Sequence, residues 1–476
     1  MAPRQTARLI AALACLAALV AVAAADPLFQ DLGLGTALIQ ANQQLQVSLG
    51  PLDLNAQCDK IKTLNAKSNK EACEFVGLVE IIILGSYNNK CNDPSTGTGA
   101  QMQPPSNGGV APAPLTKPKK VPAEFTGAEL DALLKAEGQT LAFLWVAVRN
   151  MYGFNTCSPE NGGSYSGYLL PDGFTGVGGK NGVYYNKQID TPDTVARPYV
   201  TIMKKNTTLI IVYRGTGSLA EWFTNFAYDR VKNTPFYTPE NEATEKFPGA
   251  KFKGETHRGF TRVFQQLWPS IRAAIDTEVV NGNAIHLYVT GHSQGGPIAT
   301  YTAYAIDRYL KRGAKYKRSK DFSLDLVVFE SPLPGNTKFA KSTAKINSRN
   351  IKFINDVIAQ IPCSSPKNAK QEAMPGCGAL PVNTTGTNPD KPITAWPDYA
   401  PIAGAIIFTG PQMPVQQQLW AQTNNVSDIN TAPQDLVAIH GCSVSCFLSG
   451  HSEDFPADHC IIEPPPFGNH TVCTFP

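Results

Sequence analysis

One stretch of the chain, "IHLYVTGHSQGGPIATYTAYAI" at residues 285–306, narrows the choice of folds more than any other. It begins as an apolar run of strand character, and beyond its glycines alanines and apolar side chains return at helical spacing. Between the two lie Gly291, His292, Ser293, Gln294 and Gly295, a G-x-S-x-G pattern. Small residues on either side let the backbone turn sharply from strand into helix, with the serine held strained and exposed at the turn. The pattern predicts the Ser293 hydroxyl above the C-terminal edge of a sheet. The N–H of Gln294 then opens the following helix, where it can face an oxygen that turns negative during acyl transfer.

Neighbouring segments supply the sheet. "TTLIIVYRG", "IHLYVT", "LDLVVFES" and "IKFIND" are strand candidates with apolar residues on both faces. "GFTRVFQQLWPSIRAAIDTEV" and "GPIATYTAYAIDRYLKRG" read as helices. Strands without a polar face need cover on both sides. The expected class is α/β, an α/β-hydrolase fold with a mostly parallel central sheet flanked by helices.

Around this core the chain divides into regions. Arg4 and Arg8 precede an apolar run, and Ala23, Ala24 and Ala25 close it, so residues 1–25 read as a signal peptide cleaved before Asp26 in a secreted protein. Of 11 cysteines, Cys15 falls in that segment, and the even remainder suits complete disulfide pairing in an oxidising compartment. Residues 26–98 form an N-terminal region containing Cys58, Cys73 and Cys91. Residues 99–121, rich in glycine and proline, read as a linker. The catalytic domain is expected over 122–476, where Thr126 and Glu129 suit a capping box and Phe125 and Leu130 a hydrophobic staple. Its tail carries Cys442, Cys446, Cys460 and Cys473. Sequons at Asn206, Asn383, Asn425 and Asn469 suit a glycoprotein.

Charge and motifs exclude other classes. A formal charge of +3 comes with no basic cluster joined to aromatic residues, so nothing favours nucleic acid. No segment after the signal reads as a transmembrane helix. Neither HExxH nor a compact cluster of histidines and carboxylates is present, so no metal and no other cofactor is expected. Nothing sets an oligomeric state.

A serine at neutral pH attacks an ester only when a base takes its proton, and that base needs an acid to hold its tautomer. Asp356 leaves the strand "IKFIND" toward the edge where Ser293 is expected, which makes it the candidate acid. His286 lies inside a strand, and His292 faces away from Ser293. The order Ser, Asp, His leaves His440, His451, His459 and His470, which chain distance does not separate.

Taken together, "IIVYRGTGSLAEWFTNF", "HRGF", "TGHSQGG", "SPLPGNTKFA" and "INDVIAQIP" resemble the fungal class 3 lipase family over roughly residues 135–460. The resemblance implies an α/β hydrolase acting on carboxylic esters, often triacylglycerols at an oil–water interface. It gives Ser293 as nucleophile, Asp356 as acid, Thr216 as the oxyanion residue after "RG", and Gln294 as the second backbone donor. His257 in "HRGF" is similar to a structural histidine. "CFLSGHSEDF" is most similar to the family's terminal histidine pattern, an aromatic following a few positions later, which favours His451 as base. "SLAEWFTNF" stands where the family carries a mobile lid helix, with Leu219, Trp222 and Phe223 on its apolar face and Glu221 and Asn225 polar. "FESPLPGN" departs from the family, which is more glycine-rich there and often basic.

The expected protein is thus a secreted serine hydrolase of lipid carboxylic esters, first of all a triacylglycerol lipase working through an acyl-enzyme. A phospholipase, a galactolipase and a soluble-ester esterase share that mechanism. An inactive lipid-binding protein with the same fold is the alternative from another class.

Overall fold

A computed structural model describes residues 111–157, 167–187, 195–217, 221, 224–225, 227, 230–238, 250–312, 321–353, 356, 358–362, 399–408, 440, 443–449, 461–462 and 471–472. The expected signal peptide, the region 26–98, His451, Leu219, Trp222, Phe223 and all cysteine side chains lie outside them.

The strands, in chain order, are β1 (Thr175–Gly176), β2 (Val183–Lys187), β3 (Ala196–Lys205), β4 (Thr208–Tyr213), β5 (Arg230–Lys232), β6 (Glu255–His257), β7 (His286–His292), β8 (Ser323–Phe329), β9 (Gly335–Asn336), β10 (Asn347–Phe353), β11 (Tyr399–Ala400) and β12 (Ala405–Phe408). The helices used below are α1 (Gly127–Cys157), α2 (Arg258–Ile275), α3 (Gly295–Arg312), α4 (Thr337–Thr343) and α5 (Ser443–Ser449). The main sheet runs β1-β3-β4-β7-β8-β10-β12, with β2 also on β3, and from β4 to β12 neighbouring strands are parallel. A smaller antiparallel sheet runs β11-β9-β6-β5.

Both faces of the main sheet are covered, as strands lacking a polar face require. In β4, Leu209, Ile211 and Tyr213 enter the core shared with Phe264, Trp268 and Ile271 of α2 and Ile298 and Tyr301 of α3. Ile210 and Val212 point the other way, into the core shared with Trp145 and Val148 of α1 and Phe447 of α5. A charge at Val212 has no polar exit, since every residue of β4 is buried. In α1, the run from Leu141 to Val148 is buried on all sides, wedged between the sheet and α5. Of the expected staple pair, Phe125 is buried in this same core and Leu130 packs against it.

Residues 111–121 are the described part of the segment expected as a linker. That stretch contains neither helix nor strand, yet Leu115 and Val121 are buried. Thr116 N–H donates to Glu137 at 2.8 Å and its carbonyl accepts from Arg349 at 2.7 Å. Pro112, Pro114 and Pro118 keep the segment out of regular structure, but its polar backbone is matched by buried partners, so it lies on the fold. Among the described residues no helix is long and apolar enough to cross a membrane.

Candidate active site

The turn between β7 and α3 carries Ser293 at φ +53°, in the left-handed region that side chains other than glycine rarely occupy. The neighbouring chain forces this: a Cβ at Gly291 would stand 2.4 Å from the Gly295 carbonyl oxygen. Ser293 N–H donates to the Phe329 carbonyl at the end of β8 (3.1 Å), which pins the elbow to the sheet. A strained nucleophile position over-determined by its surroundings is the kind of strain that active sites hold.

Asp356 follows β10 and is fully buried. Its N–H donates to the Phe353 carbonyl, and its Oδ1 accepts from Ile358 N–H at 2.9 Å, so the carboxylate is aimed by its own loop. Its other oxygen, Oδ2, meets His440 Nδ1 at 2.7 Å. With a carboxylate as acceptor, Nδ1 carries the proton and Nε2 keeps its lone pair. The Nε2 atom is buried and has no hydrogen-bond partner among the described residues. His440 is therefore oriented by Asp356, with an Nε2 lone pair that can accept a proton.

Two side chains seat His440 beside the elbow. His292 Nε2 donates to the His440 carbonyl at 2.8 Å, and the two rings lie 4.5 Å apart. His292 is buried against Trp145 and accepts from Tyr152 Oη on Nδ1 at 2.7 Å. Burial, with the neighbouring His440 adding to it, holds the His292 imidazole well below its ordinary pKa. It stays neutral, as its donor-and-acceptor pattern requires.

The candidate oxyanion residues are joined by a third side chain. Thr216 follows β4, close to the nucleophile: a Cβ at the adjacent Gly215 would lie 2.7 Å from Ser293 Cβ. Asn225 Nδ2 donates to Thr216 Oγ1 at 2.8 Å, while its Oδ1 accepts from Gln294 Nε2 at 2.7 Å. With its lone pair engaged, the Thr216 hydroxyl proton is free to point at a substrate oxygen. Gln294 is further fixed by Tyr199, whose hydroxyl donates to Oε1 at 2.7 Å.

A buried ion pair anchors this platform. Arg214 donates to both oxygens of Glu221, at 2.7 and 2.6 Å, with both side chains shielded from solvent. Arg214 also donates to the Pro198 and Gly215 carbonyls and lies over the Tyr199 ring. Glu221 and Asn225, expected on the polar face of a lid, are instead tied into the floor of the site. Sequence spacing alone does not show this, because Glu221 finds its cation seven residues back, across a turn.

His257 is also internal: Nδ1 accepts from Phe260 N–H and caps α2, while Nε2 donates to the Asn225 carbonyl. Among the sequence candidates, then, Ser293, Thr216, Gln294, Asp356 and His440 converge on one end of the sheet. His451, the expected base, lies outside the described residues; among those described, His440 is the histidine that meets Asp356. The signal for His440 is contact with Asp356, which no local spacing encodes. Among the described residues no group of three or more His, Cys, Asp or Glu could hold a metal ion.

Part of the chain is similar to known proteins. The profile of the family Lipase (class 3) matches residues 210–365, a span that holds Thr216, Ser293 and Asp356. A phospholipase A(1) of Arabidopsis thaliana, DAD1, chloroplastic, is 24% identical over 172 residues, 34% of this chain and 36% of the relative. Secreted mono- and diacylglycerol lipase 1 of Fusarium solani is 25% identical over 142 residues, 30% of this chain and 35% of the relative. The chain thus spans about a third of the length of these curated relatives. A structure of Rhizomucor miehei lipase with its propeptide is 17% identical, with a TM-score of 0.32, covering 57% of this chain and 79% of that one.

Proposed function

We propose that this chain, whose residues 210–365 match the class 3 lipase profile, hydrolyses carboxylic esters of glycerolipids through an acyl-enzyme on Ser293. The observation that carries the proposal is the 2.7 Å pair of His440 and buried Asp356 beside a serine held at φ +53°. His440 Nε2 takes the Ser293 proton as Oγ attacks the ester carbonyl. Negative charge then gathers on the carbonyl oxygen, where Thr216 and the Gln294 N–H stabilise it. Collapse of this intermediate expels the alcohol, which leaves with the proton from His440. Water, activated by the same imidazole, releases the acid and restores Ser293. Asp356 holds the tautomer throughout and offsets the imidazolium charge.

Triacylglycerol is the first substrate to test, with phospholipid and galactolipid next. Support for an apolar substrate comes from Leu219, Trp222 and Phe223 in the sequence. Glu221 and Asn225 flank Trp222 and Phe223, and opening that carried Glu221 away from Arg214 would separate a buried ion pair, which is strongly unfavourable. This favours a small displacement of the apolar side chains over a swing of the whole stretch. Export is proposed from residues 1–25, with Asp26 as the N-terminus of the secreted chain.

The test compares wild type and Ser293→Ala on a short soluble ester, emulsified long-chain triacylglycerol and phospholipid vesicles, with labelling by a serine-directed phosphonate. Glycerolipid hydrolysis and labelling, both lost in S293A, are the expected result. Hydrolysis of the short ester alone would move the assignment to a soluble-ester esterase. Neither hydrolysis nor labelling in folded wild type would leave the inactive lipid-binding alternative.

A further inference from the structure

Behind the acid stands a second carboxyl group for which the proposed mechanism has no role. Glu330 directly follows β8, fully buried, at φ +44°. Glycine would hold that conformation without strain, so a glutamate here is retained against a backbone preference. Its side chain turns inward. Glu330 Oε1 accepts the Phe353 N–H at 2.7 Å and lies 3.4 Å from the Ser443 hydroxyl at the start of α5. Glu330 Oε2 is buried with no donor among the described residues. Phe353 joins the two groups, its N–H donating to Glu330 Oε1 and its carbonyl accepting from Asp356 N–H, and the Asp356 carboxylate acts on the Glu330 carboxyl.

Two carboxylates in contact repel, and neither can donate. A proton on one of them turns the contact into a hydrogen bond. The surrounding charges decide which. Lys352 of β10 is buried, donates to the Ala359 carbonyl at 2.7 Å, and supplies one positive charge to both carboxyl groups. One anion balances it; a second would stand uncompensated in the core. Asp356 accepts from Ile358 N–H and faces His440, so the anion belongs there. Glu330 has the single strong donor of Phe353 and the orphaned oxygen.

We propose that Glu330 is a positioning residue for the catalytic acid: it carries a proton and donates it as a hydrogen bond to Asp356, fixing the carboxylate that in turn orients His440. The proposal rests on the serine-hydrolase assignment for its effect on turnover. Its physical content, a neutral donor behind Asp356, does not. Burial foremost, and Asp356 after it, push the Glu330 carboxyl well above the ordinary range, in keeping with a protonated group. Burial lowers Lys352 to about 8 against the pull of both carboxyls, so it remains charged near neutrality.

The experiment uses full-length Glu330→Gln and Glu330→Met. Glutamine keeps the shape, the acceptor for Phe353 N–H and a donor toward Asp356; methionine keeps length and removes both polar roles. Two quantities are measured in each protein: the pH profile of kcat and KM on a short soluble ester, and the titration of the imidazole NMR signal that His440→Gln removes. In E330Q we expect kcat within about threefold of wild type, with the acid limb and the His440 titration unmoved, since no charge is lost. In E330M we expect kcat to fall about tenfold at nearly constant KM, and the His440 titration to move upward because Asp356 has lost a donor. A downward move in E330Q would show that Glu330 is an anion, and an unmoved E330M would show that it does not act on Asp356. Either overturns the proposal. If wild type hydrolyses no ester, the serine-hydrolase assignment fails, yet the His440 titrations still decide the state of Glu330. If E330M does not fold, E330Q alone distinguishes neutral donor from anion.

Discussion

His292 Nε2 donates to the main-chain carbonyl of His440 at 2.8 Å, so the residue preceding Ser293 holds the residue that meets Asp356. His440 meets the elbow from 148 positions away, and this bond joins two parts of the site that the chain itself leaves far apart. Tyr152 of α1 then holds the other nitrogen of the His292 ring, so the seat of the base is built from three separate segments.

The triad assignment predicts a sharp separation among variants. Ser293→Ala and His440→Ala should each reduce kcat on a soluble ester as far as loss of a triad member allows, and Asp356→Asn should cost about 10⁴-fold. His451→Ala should retain most of its turnover. A folded H440A enzyme with near-normal kcat, beside an inactive H451A enzyme, would return the base to His451.

Asn225 bridges Thr216 and Gln294, so its removal should loosen both oxyanion residues together. Asn225→Ala is expected to lower kcat about tenfold with little change in KM, since the hole matters most when charge develops. Thr216→Val, which deletes a hydroxyl aimed at that charge, should cost about 10²-fold. Additive losses in the double variant would contradict the bridge, because coupled residues share one effect.

Much of this arrangement was legible in the residues, and the boundary of legibility has a physical cause. The elbow could be read because strand, glycine, serine and helix follow one another, and Asp356 because it leaves an apolar strand. Local order encodes both. His440 was one of four remaining histidines, since the contact that selects it joins residues 84 positions apart. Glu221 read as a polar lid residue for a similar reason: a glutamate at helical spacing is ordinarily solvated, and only the turn after β4 brings Arg214 onto it. Glu330 lies in "FESPLPGN", a stretch that departs from the family sequence, but its burial near Asp356 depends on the register of β8 and β10.

Arg214 and Glu221 make a stability prediction distinct from catalysis. Glu221→Ala leaves a guanidinium buried without its anion, and should lower the unfolding free energy by about 3–5 kcal/mol in urea melts. Replacing both, as Arg214→Met with Glu221→Leu, should recover part of that loss, because no charge then remains in the core. A double variant less stable than E221A would show that the other bonds of Arg214, to Pro198 and Gly215, outweigh the pair.

Acid should act through the buried histidines. Burial foremost, with the Arg258 charge adding to it, lowers His257 to about 3, so it stays neutral in the folded state while the unfolded chain titrates near its ordinary 6.5. Below about pH 6.5 the unfolded state therefore binds a proton that the folded state refuses. The His257 contribution is complete above that value and is lost at about 1.4 kcal/mol per pH unit as pH falls toward about 3. Asp325, raised by burial to about 6, works in the opposite sense between its two pKa values, so the test is a difference between proteins. His257→Asn should be less stable than wild type at pH 7, because the bond to the Asn225 carbonyl is lost. By pH 5 the gap should narrow by about 2 kcal/mol, as only wild type meets the proton-linked loss. A gap in unfolding free energy that stays constant from pH 7 to pH 5 would show that His257 accepts its proton within the fold.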